Sequence, residues 1–473
     1  MPRRANLFMQ AEPFQSASGY INALLAEELE RLGYGLDPHY RAPLGARDAL
    51  IPLASADRLR RLSAEPPVDL ALYCDRGLGI RVPSREMARH TLVLFHGLMG
   101  WPAVWMENPA IDRHCVLSPY MRDVLTSLLA RPDWKRRTVN PRAFHSVSYW
   151  VPALSCVEAP EGHSLLAGAQ LPDTLQRILD SDDVIGHALQ AWKPDWTAVY
   201  SILLNLNALA REHGRSQRFR LAITEEEYAS IARAFAQGLP VTEAPRAGLE
   251  ALGMTLEDLL IPVEQLSQPA LFSLFRRARF GLAYNVFPEP MGFYVLESVF
   301  NGCPVYTNGI GNNRHGLPPG HGLHVRENTD MAWGDPSAYA EVAARIYQDW
   351  ESPGSVEAEC LRGREYIQRT YNREAFRRGL HATLESLERE PPAPIPFEQL
   401  DIALSPLVRG MDEEGRVISD FENLQLEPAE LQLVREAVGG KAGDVLARGL
   451  TESGWDRLQG LFSRGVLTLR AGT

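Results

Sequence analysis

The sequence contains little cysteine, no long apolar run and fewer basic than acidic side chains. Its five cysteines lie far apart in 473 residues and have neither CxxC nor zinc-like spacing, which excludes a disulfide scaffold and predicts a reduced, cytoplasmic protein. The longest apolar run, residues 200–210, is interrupted by asparagines, and the residues after Met1 lack the apolar region of a secretory signal, so neither a membrane span nor an export signal is expected. The net charge of −11 argues against a nucleic-acid partner, because phosphate backbones require clustered basic side chains.

The composition is that of a globular protein, with 45% apolar and 23% charged residues, and the length predicts two or three domains. In the first 152 residues, short apolar runs alternate with stretches of helical periodicity, and the first such helix ends at Gly33. This alternation predicts an α/β domain with a parallel sheet covered by helices. The predicted strands are residues 5–10, 69–74, 91–96, 115–118 and 147–151.

The same alternation resumes in residues 153–390 and predicts a second parallel-sheet domain. A long amphipathic helix over residues 364–388 closes this domain, and four prolines between Pro391 and Pro396 predict a stiff linker. Residues 400–473 then form a small α+β domain whose order of strands, helices and a last strand is typical of a winged helix. Other predicted elements are helices 173–179, 196–213 and 268–277 and strands 219–224 and 280–287.

The segment with the clearest chemistry follows the strand predicted over residues 280–287. Glu289 stands in a tight turn, Gly292 follows three residues later, and an apolar helix then carries Glu297. Ligands of such units bind at the carboxyl end of the strand, where the helix amino terminus offers free N–H groups to phosphate. Gly292 allows close approach of a ligand to the backbone, and Glu297 can accept hydrogen bonds from the two hydroxyls of a ribose.

The residues around the two glutamates extend this pattern. The segment Asn301-Gly302-Cys303-Pro304-Val305 predicts a following strand, and a glycine-bearing loop covers residues 307–313. With these elements in register, the sequence resembles the retaining glycosyltransferases of GT-B fold, in particular the large family-4 type. Weaker similarity covers most of residues 1–390. The resemblance implies two facing Rossmann-like domains with the site in the cleft between them, in addition to the small C-terminal domain.

The resemblance also implies the ligand and the roles of individual residues. The donor would be a sugar linked to UDP or GDP, with no further cofactor and no obligatory metal. Glu297 would bind the ribose, with Met291, Gly292 and Phe293 at the adjoining helix start. Glu289 would contact hydroxyls of the donor sugar. In the first domain, His96 would lie near the donor sugar and Gly19 in the first glycine loop. In the second domain, Lys193 would bind the diphosphate.

The sequence departs from the family pattern near the diphosphate. Residues 187–192 contain no arginine, Lys193 is followed by Pro194 instead of glycine, and the first loop has one glycine instead of two. Two functions therefore remain open. The first is sugar transfer to an unidentified acceptor with retention of configuration, and the second is an inactive glycosyltransferase-like scaffold that acts through its C-terminal domain.

Three further signals bear on the choice. The run Asp180-Ser181-Asp182-Asp183 contains a DxD pattern of the kind that holds a metal, but it lacks a preceding buried strand and is interpreted as a solvated loop. Residues 96–100 resemble a hydrolase oxyanion loop, yet no Gly-x-Ser-x-Gly elbow accompanies them. Residues 391–473 carry 13 acidic and 8 basic side chains, which disfavours DNA. They look somewhat like small domains that recognise leader peptides, so a peptide or protein acceptor paired with an edge strand is one alternative, and packing or dimerisation is the other.

Overall fold

The structure, a computed structural model, describes residues 3–9, 17–40, 66–74, 84–97, 106–158, 171–190, 193–318, 321 and 339–472. The chain divides into two compact units. Unit 1 comprises residues 1–153 and 373–473, and unit 2 comprises residues 154–372.

Unit 1 contains a six-stranded sheet in which every pairing is parallel and the strand order is β2-β1-β3-β4-β5-β6. The central strands are apolar and buried on both faces, as expected for a parallel sheet covered by helices. The predicted alternation in this part of the chain is therefore confirmed, although β2 was not predicted. The elements are β1 (Arg3–Met9), α1 (Ala17–Arg31), β2 (Tyr34–Tyr40), β3 (Val68–Cys74), β4 (Ala88–Phe95), β5 (Arg113–Val116), α2 (Pro119–Leu129) and β6 (Val147–Tyr149).

Unit 2 contains a second parallel sheet, of five strands in the order β11-β10-β7-β8-β9. The predicted strand 219–224 and helices 173–179 and 268–277 are confirmed residue for residue. The elements are α3 (Ser155–Glu158), α4 (Asp173–Leu179), β7 (Val184–His187), α5 (Trp196–Glu212), β8 (Phe219–Thr224), α6 (Glu225–Ala236), α7 (Glu243–Leu252), α8 (Leu256–Leu259), β9 (Leu260–Val263), α9 (Gln268–Arg277), β10 (Phe280–Ala283), α10 (Phe293–Phe300), β11 (Val305–Thr307), α11 (Ala340–Glu351) and α12 (Pro353–Thr370).

The predicted closing helix over residues 364–388 is two helices in the structure. Its first part belongs to α12 in unit 2, and its second part is α13 (Arg373–Ser386) in unit 1. Buried Glu28 of α1 binds the guanidinium groups of Arg373 and Arg377, at 3.1 and 2.8 Å, and thereby holds α13 against unit 1. The boundary between the units therefore lies at residues 372–373, whereas the sequence was interpreted as one domain up to residue 390.

The C-terminal residues form a small α+β domain with antiparallel strands, which shares one hydrophobic core with the first sheet. The ring of Trp134, in the N-terminal segment, contacts Phe397 edge-on, and its centroid lies 5.7 Å from the ring centroid of Phe462. The Tyr120 hydroxyl donates to Asp420 at 2.6 Å. The tail is thus an integral part of unit 1. Its elements are β12 (Asp401–Leu404), β13 (Val408–Met411), β14 (Arg416–Ser419), β15 (Leu424–Gln425), α14 (Pro428–Ala437), α15 (Ala442–Arg448), α16 (Glu452–Ser463) and β16 (Leu467–Arg470).

Two findings of the fold bear on the compositional predictions. All five cysteines are buried thiols, consistent with their use as small apolar residues. Within the ranges given above, no helix combines the length and apolar character that crossing a membrane requires.

Candidate functional site

The connection between β10 and α10 is shaped by Gly292. This residue caps the amino terminus of α10 in the left-handed conformation, with φ of +77°. The left-handed backbone conformation favours glycine, and a Cβ at this position would lie 2.6 Å from Oδ1 of Asn313, so that the Asn313 side chain would have to shift. The first turn of α10 therefore begins next to the loop that follows β11, and its leading N–H groups have no partner within the helix.

Glu289 is fixed by the same loop. Its carbonyl oxygen accepts a hydrogen bond from the Asn312 N–H at 2.7 Å, and its backbone forms a bridge with Gly311. A Cβ on Gly311 would lie 2.3 Å from the Glu289 nitrogen, and φ of Gly311 is +67°. The amide of Asn312 also donates to the Met291 carbonyl at 2.7 Å. The turn containing Glu289 and Met291 is therefore clamped on the loop over residues 307–313.

The carboxylate of Glu289 is 5% exposed and lies among three nitrogen donors. Nζ of Lys193 contacts Oε1 at 2.5 Å, and the side-chain amides of Gln190 and Asn285 lie at 3.4 Å from the same oxygen. Lys193 reaches this position because its carbonyl accepts from the Val286 N–H at 2.8 Å, which places the segment alongside the end of β10. The predicted site residues Lys193 and Glu289 are thus in direct contact, as an ion pair.

Several amide oxygens around Glu289 are buried without a hydrogen-bond partner among the residues that the structure describes. They are Oε1 of Gln190 and Oδ1 of Asn285, Asn312 and Asn313. Buried acceptors of this kind normally find a donor, so their grouping beside a carboxylate fits a ligand rich in hydroxyl groups. Sequence reasoning missed Gln190 and Asn285, because an isolated amide side chain has no local pattern that reveals where its loop will fold.

Glu297 lies in the second turn of α10 and is 6% exposed. Burial raises the pKa of its carboxyl to about 7, and the hydrogen bond that Nε2 of Gln268 donates to Oε1 at 3.3 Å opposes this rise. In the described ranges, Gln268 is the one side chain seen to donate to this carboxyl. A buried carboxylate with so little compensation would be stabilised by two further hydroxyl donors.

Beneath α10 lies a buried polar network that the sequence did not predict. His187, at the end of β7, contacts the Tyr294 hydroxyl through Nδ1 and the Ser298 hydroxyl through Nε2, the latter at 3.1 Å. The Tyr294 hydroxyl also accepts from the Leu189 N–H at 3.2 Å. Burial lowers the pKa of His187 to about 3, so the ring is neutral. This network fixes α10 to the second sheet and so orients Glu297, because Tyr294 lies three residues before Glu297 in the helix and Ser298 directly follows it.

The other predicted site residues fall at different places. Phe293 is the first residue of α10 and is half-buried. His96 follows β4 in unit 1, and its Nε2 lies 3.2 Å from Oδ1 of Asn22 in α1. Gly19 was expected in a loop before a helix, but α1 begins at Ala17, so Gly19 lies within its first turn. Residues 98–100 of the hydrolase-like segment lie outside the described residues.

Two carboxylates of the acidic run at residues 180–183, those of Asp180 and Asp183, contact arginines. The carboxylate of Asp183 contacts Arg218 at 2.9 Å and Arg220 at 3.5 Å, and Asp180 contacts Arg277. Asp183 is largely buried beside the start of β7, which corrects the expectation of a solvated loop at this end of the run. Among the residues that the structure describes, no cluster of three histidine, cysteine or acidic side chains is placed to hold a metal ion.

Comparisons with known proteins identify the architecture. No protein-family model matches the sequence, and no curated protein does so either. Solved structures match over most of the chain. HepE of Anabaena, crystallised with UDP and glucose, is 13% identical, with 81% of this chain and 100% of HepE covered and a TM-score of 0.51. The α,α-trehalose 6-phosphate synthase of Burkholderia multivorans is 13% identical, with coverages of 82% and 99% and a TM-score of 0.53. A glycosyltransferase of Rickettsia africae is 11% identical, with coverages of 82% and 100% and a TM-score of 0.50. Together with the two parallel sheets, these matches identify the architecture as the GT-B fold with an additional small C-terminal α+β domain.

Proposed function

We propose that the protein transfers a sugar from a nucleoside diphosphate donor to an acceptor and binds the donor at the start of α10. The observation that carries this proposal is the pair of buried carboxylates, Glu289 and Glu297, on either side of the left-handed Gly292. The unpartnered amide oxygens beside Glu289 suit the hydroxyls of a hexose. A neighbour of the same fold was crystallised with UDP and glucose, which favours a UDP-linked donor over the GDP-linked alternative.

In this proposal each group of the site has one role. The N–H groups at the start of α10 and the ammonium of Lys193 would bind the diphosphate. Glu297 would accept hydrogen bonds from the ribose hydroxyls. Glu289 would hold hydroxyls of the transferred sugar, so Lys193 would have to exchange its carboxylate partner for the diphosphate when the donor binds. His96 remains a proposed contact of the donor sugar.

The proposed reaction retains the configuration at the anomeric carbon and belongs to the family-4-like type. The bond from this carbon to the diphosphate oxygen breaks. The acceptor oxygen forms a bond to the same carbon, on the face that the diphosphate leaves. The acceptor proton passes to the departing phosphate oxygen, so no protein carboxylate attacks the sugar. The protein then contributes positioning and stabilisation of the negative charge that develops on the diphosphate.

Donor binding can be tested by calorimetry with UDP-, GDP- and ADP-sugars. Wild type should bind one class, and Glu297→Ala should weaken that binding at least about tenfold, since it removes two charge-assisted hydrogen bonds. Glu250→Ala is the matched control, because Glu250 is an exposed glutamate of α7 in the same unit. No binding of any nucleotide sugar by wild type, or equal binding by Glu297→Ala, would contradict the proposal.

A second candidate is a glycosyltransferase-like scaffold without turnover. The Lys193–Glu289 ion pair favours it, because it occupies both of the groups that the donor would need. Slow hydrolysis of the bound donor by water separates the two candidates. Release of free sugar by wild type, and its loss in Glu289→Gln, would support the enzyme. Donor binding without any release over a day would support the scaffold.

We further propose that the acceptor is a peptide or protein segment that adds a strand to β15. The Leu426 N–H bonds inward to the Gly415 carbonyl at 2.9 Å. Because successive N–H groups of a strand alternate in direction, the N–H of exposed Gln425 points to the outer edge. An extended peptide can pair with such an edge through main-chain hydrogen bonds.

The edge can be tested with two substitutions at one position. The full chain is used, because the tail shares its core with the rest of unit 1. A peptide selected from a displayed library against the full chain would be measured on wild type, Gln425→Pro and Gln425→Ala. Proline removes the outward donor and is tolerated at sheet edges, whereas alanine keeps the donor. Loss of binding in Gln425→Pro alone is expected. Equal binding by all three proteins would exclude this edge.

A further inference from the structure

Unit 1 contains a pocket of about 420 Å³ between the edge of its parallel sheet and α13. It lies beside β5 and β6, outside every residue considered for donor binding. Its size is in the range of small-molecule sites. Its lining includes Arg113, His145, Ser148, Thr383, Ser386 and Arg389.

The guanidinium of Arg113 has only neutral oxygen partners in the described structure. It donates to the hydroxyl of Ser386 at 3.1 Å, to the carbonyl of Ser386 at 3.0 Å and to the carbonyl of Asp112 at 2.9 Å. The nearby carboxylate of Asp112 instead binds Arg85 through two contacts of 2.8 and 2.9 Å. These hydrogen bonds therefore hold the guanidinium of Arg113 against the pocket wall at Ser386. Among the residues that the structure describes, no carboxylate contacts it.

The positive charges of Arg113 and Arg142 also act on the lining residue His145. Burial lowers the pKa of His145, and the charges of Arg113 and Arg142 lower it further. Arg142 is itself held by carbonyl oxygens, those of Asn108 at 3.1 Å and of Ile111. The carboxylate of Asp112 offsets part of the charge of Arg142, and a bound anion would compensate the remainder. Glu390, at the exposed rim beside Arg389, is the one acidic residue of the pocket lining.

The position of the pocket separates it from substrate sites of this architecture. Arg113 is the first residue of β5, and His145 precedes β6, so both lie at the amino-terminal ends of their strands. Substrates of open parallel sheets bind at the carboxyl ends. A ligand held here would therefore not be the donor.

We infer that this pocket binds a phosphate monoester of a small organic molecule. A phosphate group offers several acceptor oxygens and two negative charges, which match the fixed guanidinium of Arg113 and the exposed one of Arg389, which also contacts the exposed Glu385 at 3.6 Å. The hydroxyl of Ser148 supplies a neutral donor on the β6 side. The volume exceeds that of a bare phosphate, so an organic group can occupy the rest of the pocket.

The test uses thermal melts and calorimetry of the full chain with three probes: glycerol 2-phosphate, inorganic phosphate and malonate. Glycerol 2-phosphate should raise the melting temperature, inorganic phosphate less so, and malonate least. Ala382→Glu places a carboxylate at the exposed alanine of the lining and should weaken binding of glycerol 2-phosphate at least about tenfold. Ala229→Glu, at an exposed alanine of α6 in unit 2, is the matched control and should bind as wild type does.

Arg113→Gln provides a second variant. It should also lose binding, but it removes the contacts to Ser386 and can therefore lower the stability of unit 1 by itself. Ala382→Glu keeps those contacts, so its result decides between a binding and a structural role of the pocket. Binding of glycerol 2-phosphate that is unchanged in Ala382→Glu, or absent in wild type at about 10 mM, would overturn the inference.

Discussion

Replacement of Glu297 by glutamine should stabilise the ligand-free protein at alkaline pH and leave it nearly unchanged at acid pH. Burial raises the pKa of this carboxyl from 4.5 to about 7. The unfolded chain therefore loses the proton first as the pH rises from 4.5 to 7, and the folded protein loses stability over that window. Above pH 7 the folded protein carries a buried, poorly compensated charge. Glutamine keeps the shape of the side chain and is neutral throughout.

The expected magnitude follows from the two pKa values. A rise of about 2.5 pKa units at about 1.4 kcal/mol per unit corresponds to about 3 kcal/mol at pH 8. At pH 5 the folded carboxyl is protonated and the unfolded one is only partly ionised, so the difference shrinks to less than about 1 kcal/mol. The same substitution should weaken binding of the nucleotide sugar, because an amide is a poorer acceptor for ribose hydroxyls than a carboxylate.

The assay is urea unfolding of wild type and Glu297→Gln at pH 5 and pH 8, with hydrogen exchange of the α10 amides to locate the effect in unit 2. Glu250→Gln, at an exposed position of α7, serves as the control and should shift nothing at either pH. A stabilisation of equal size at both pH values would refute the reasoning. So would destabilisation at pH 8, because it would mean that the carboxylate has partners that offset its burial.

Three further predictions concern the framework of the site and of unit 1. Gly311→Ala would place a Cβ 2.3 Å from a backbone nitrogen and should cost about 2 kcal/mol or more in urea unfolding, whereas Gly354→Ala, with open space around it, should cost almost nothing. Glu28→Gln should lower the stability of unit 1 at pH 7 by about 2 kcal/mol, because hydrogen bonding to Arg377 leads the effects that bring the pKa of Glu28 to about 2. This loss should shrink as the pH falls from 4.5 toward 2, which melts across pH would detect. The ring of His187 should show no titration between pH 5 and 8 by NMR, because burial lowers its pKa to about 3, and a midpoint near 6.5 would contradict the buried network.

The elements that the sequence predicted best are those with both a strong period and a local end signal. Helix α9 begins after Ser267, whose hydroxyl accepts from the Ala270 N–H, and it ends before the strand at Phe280. By contrast, β10 was predicted to reach Phe287 but ends at Ala283. The residues beyond it, Asn285 and Val286, pair with the segment around Pro194 and not with the sheet, and that pairing has no signature in the local sequence.

The candidate site was predictable only where its residues are close in sequence. Glu289, Gly292 and Glu297 belong to one strand-turn-helix unit, so their spacing indicated a common pocket. Gln190 and the network of His187 arrive from β7, about a hundred residues earlier, and depend on strand order within the second sheet. The assignment of α13 failed for a similar reason: its apolar stripe predicts that it packs on a sheet but not on which one.

The discontinuity of unit 1 has a consequence for how the protein emerges from the ribosome. Residues 154–372 form a continuous segment with its own sheet, so unit 2 can fold while synthesis is still in progress. The core of unit 1 can be completed only after α13 and the tail have been made, because Phe397 and Phe462 of the tail pack around Trp134. Until those residues are made, apolar surface of the earliest part of the chain stays exposed to solvent. The amino-terminal segment is synthesised first but its core is completed last. We therefore expect this segment of the nascent chain to depend on chaperones for the longest time.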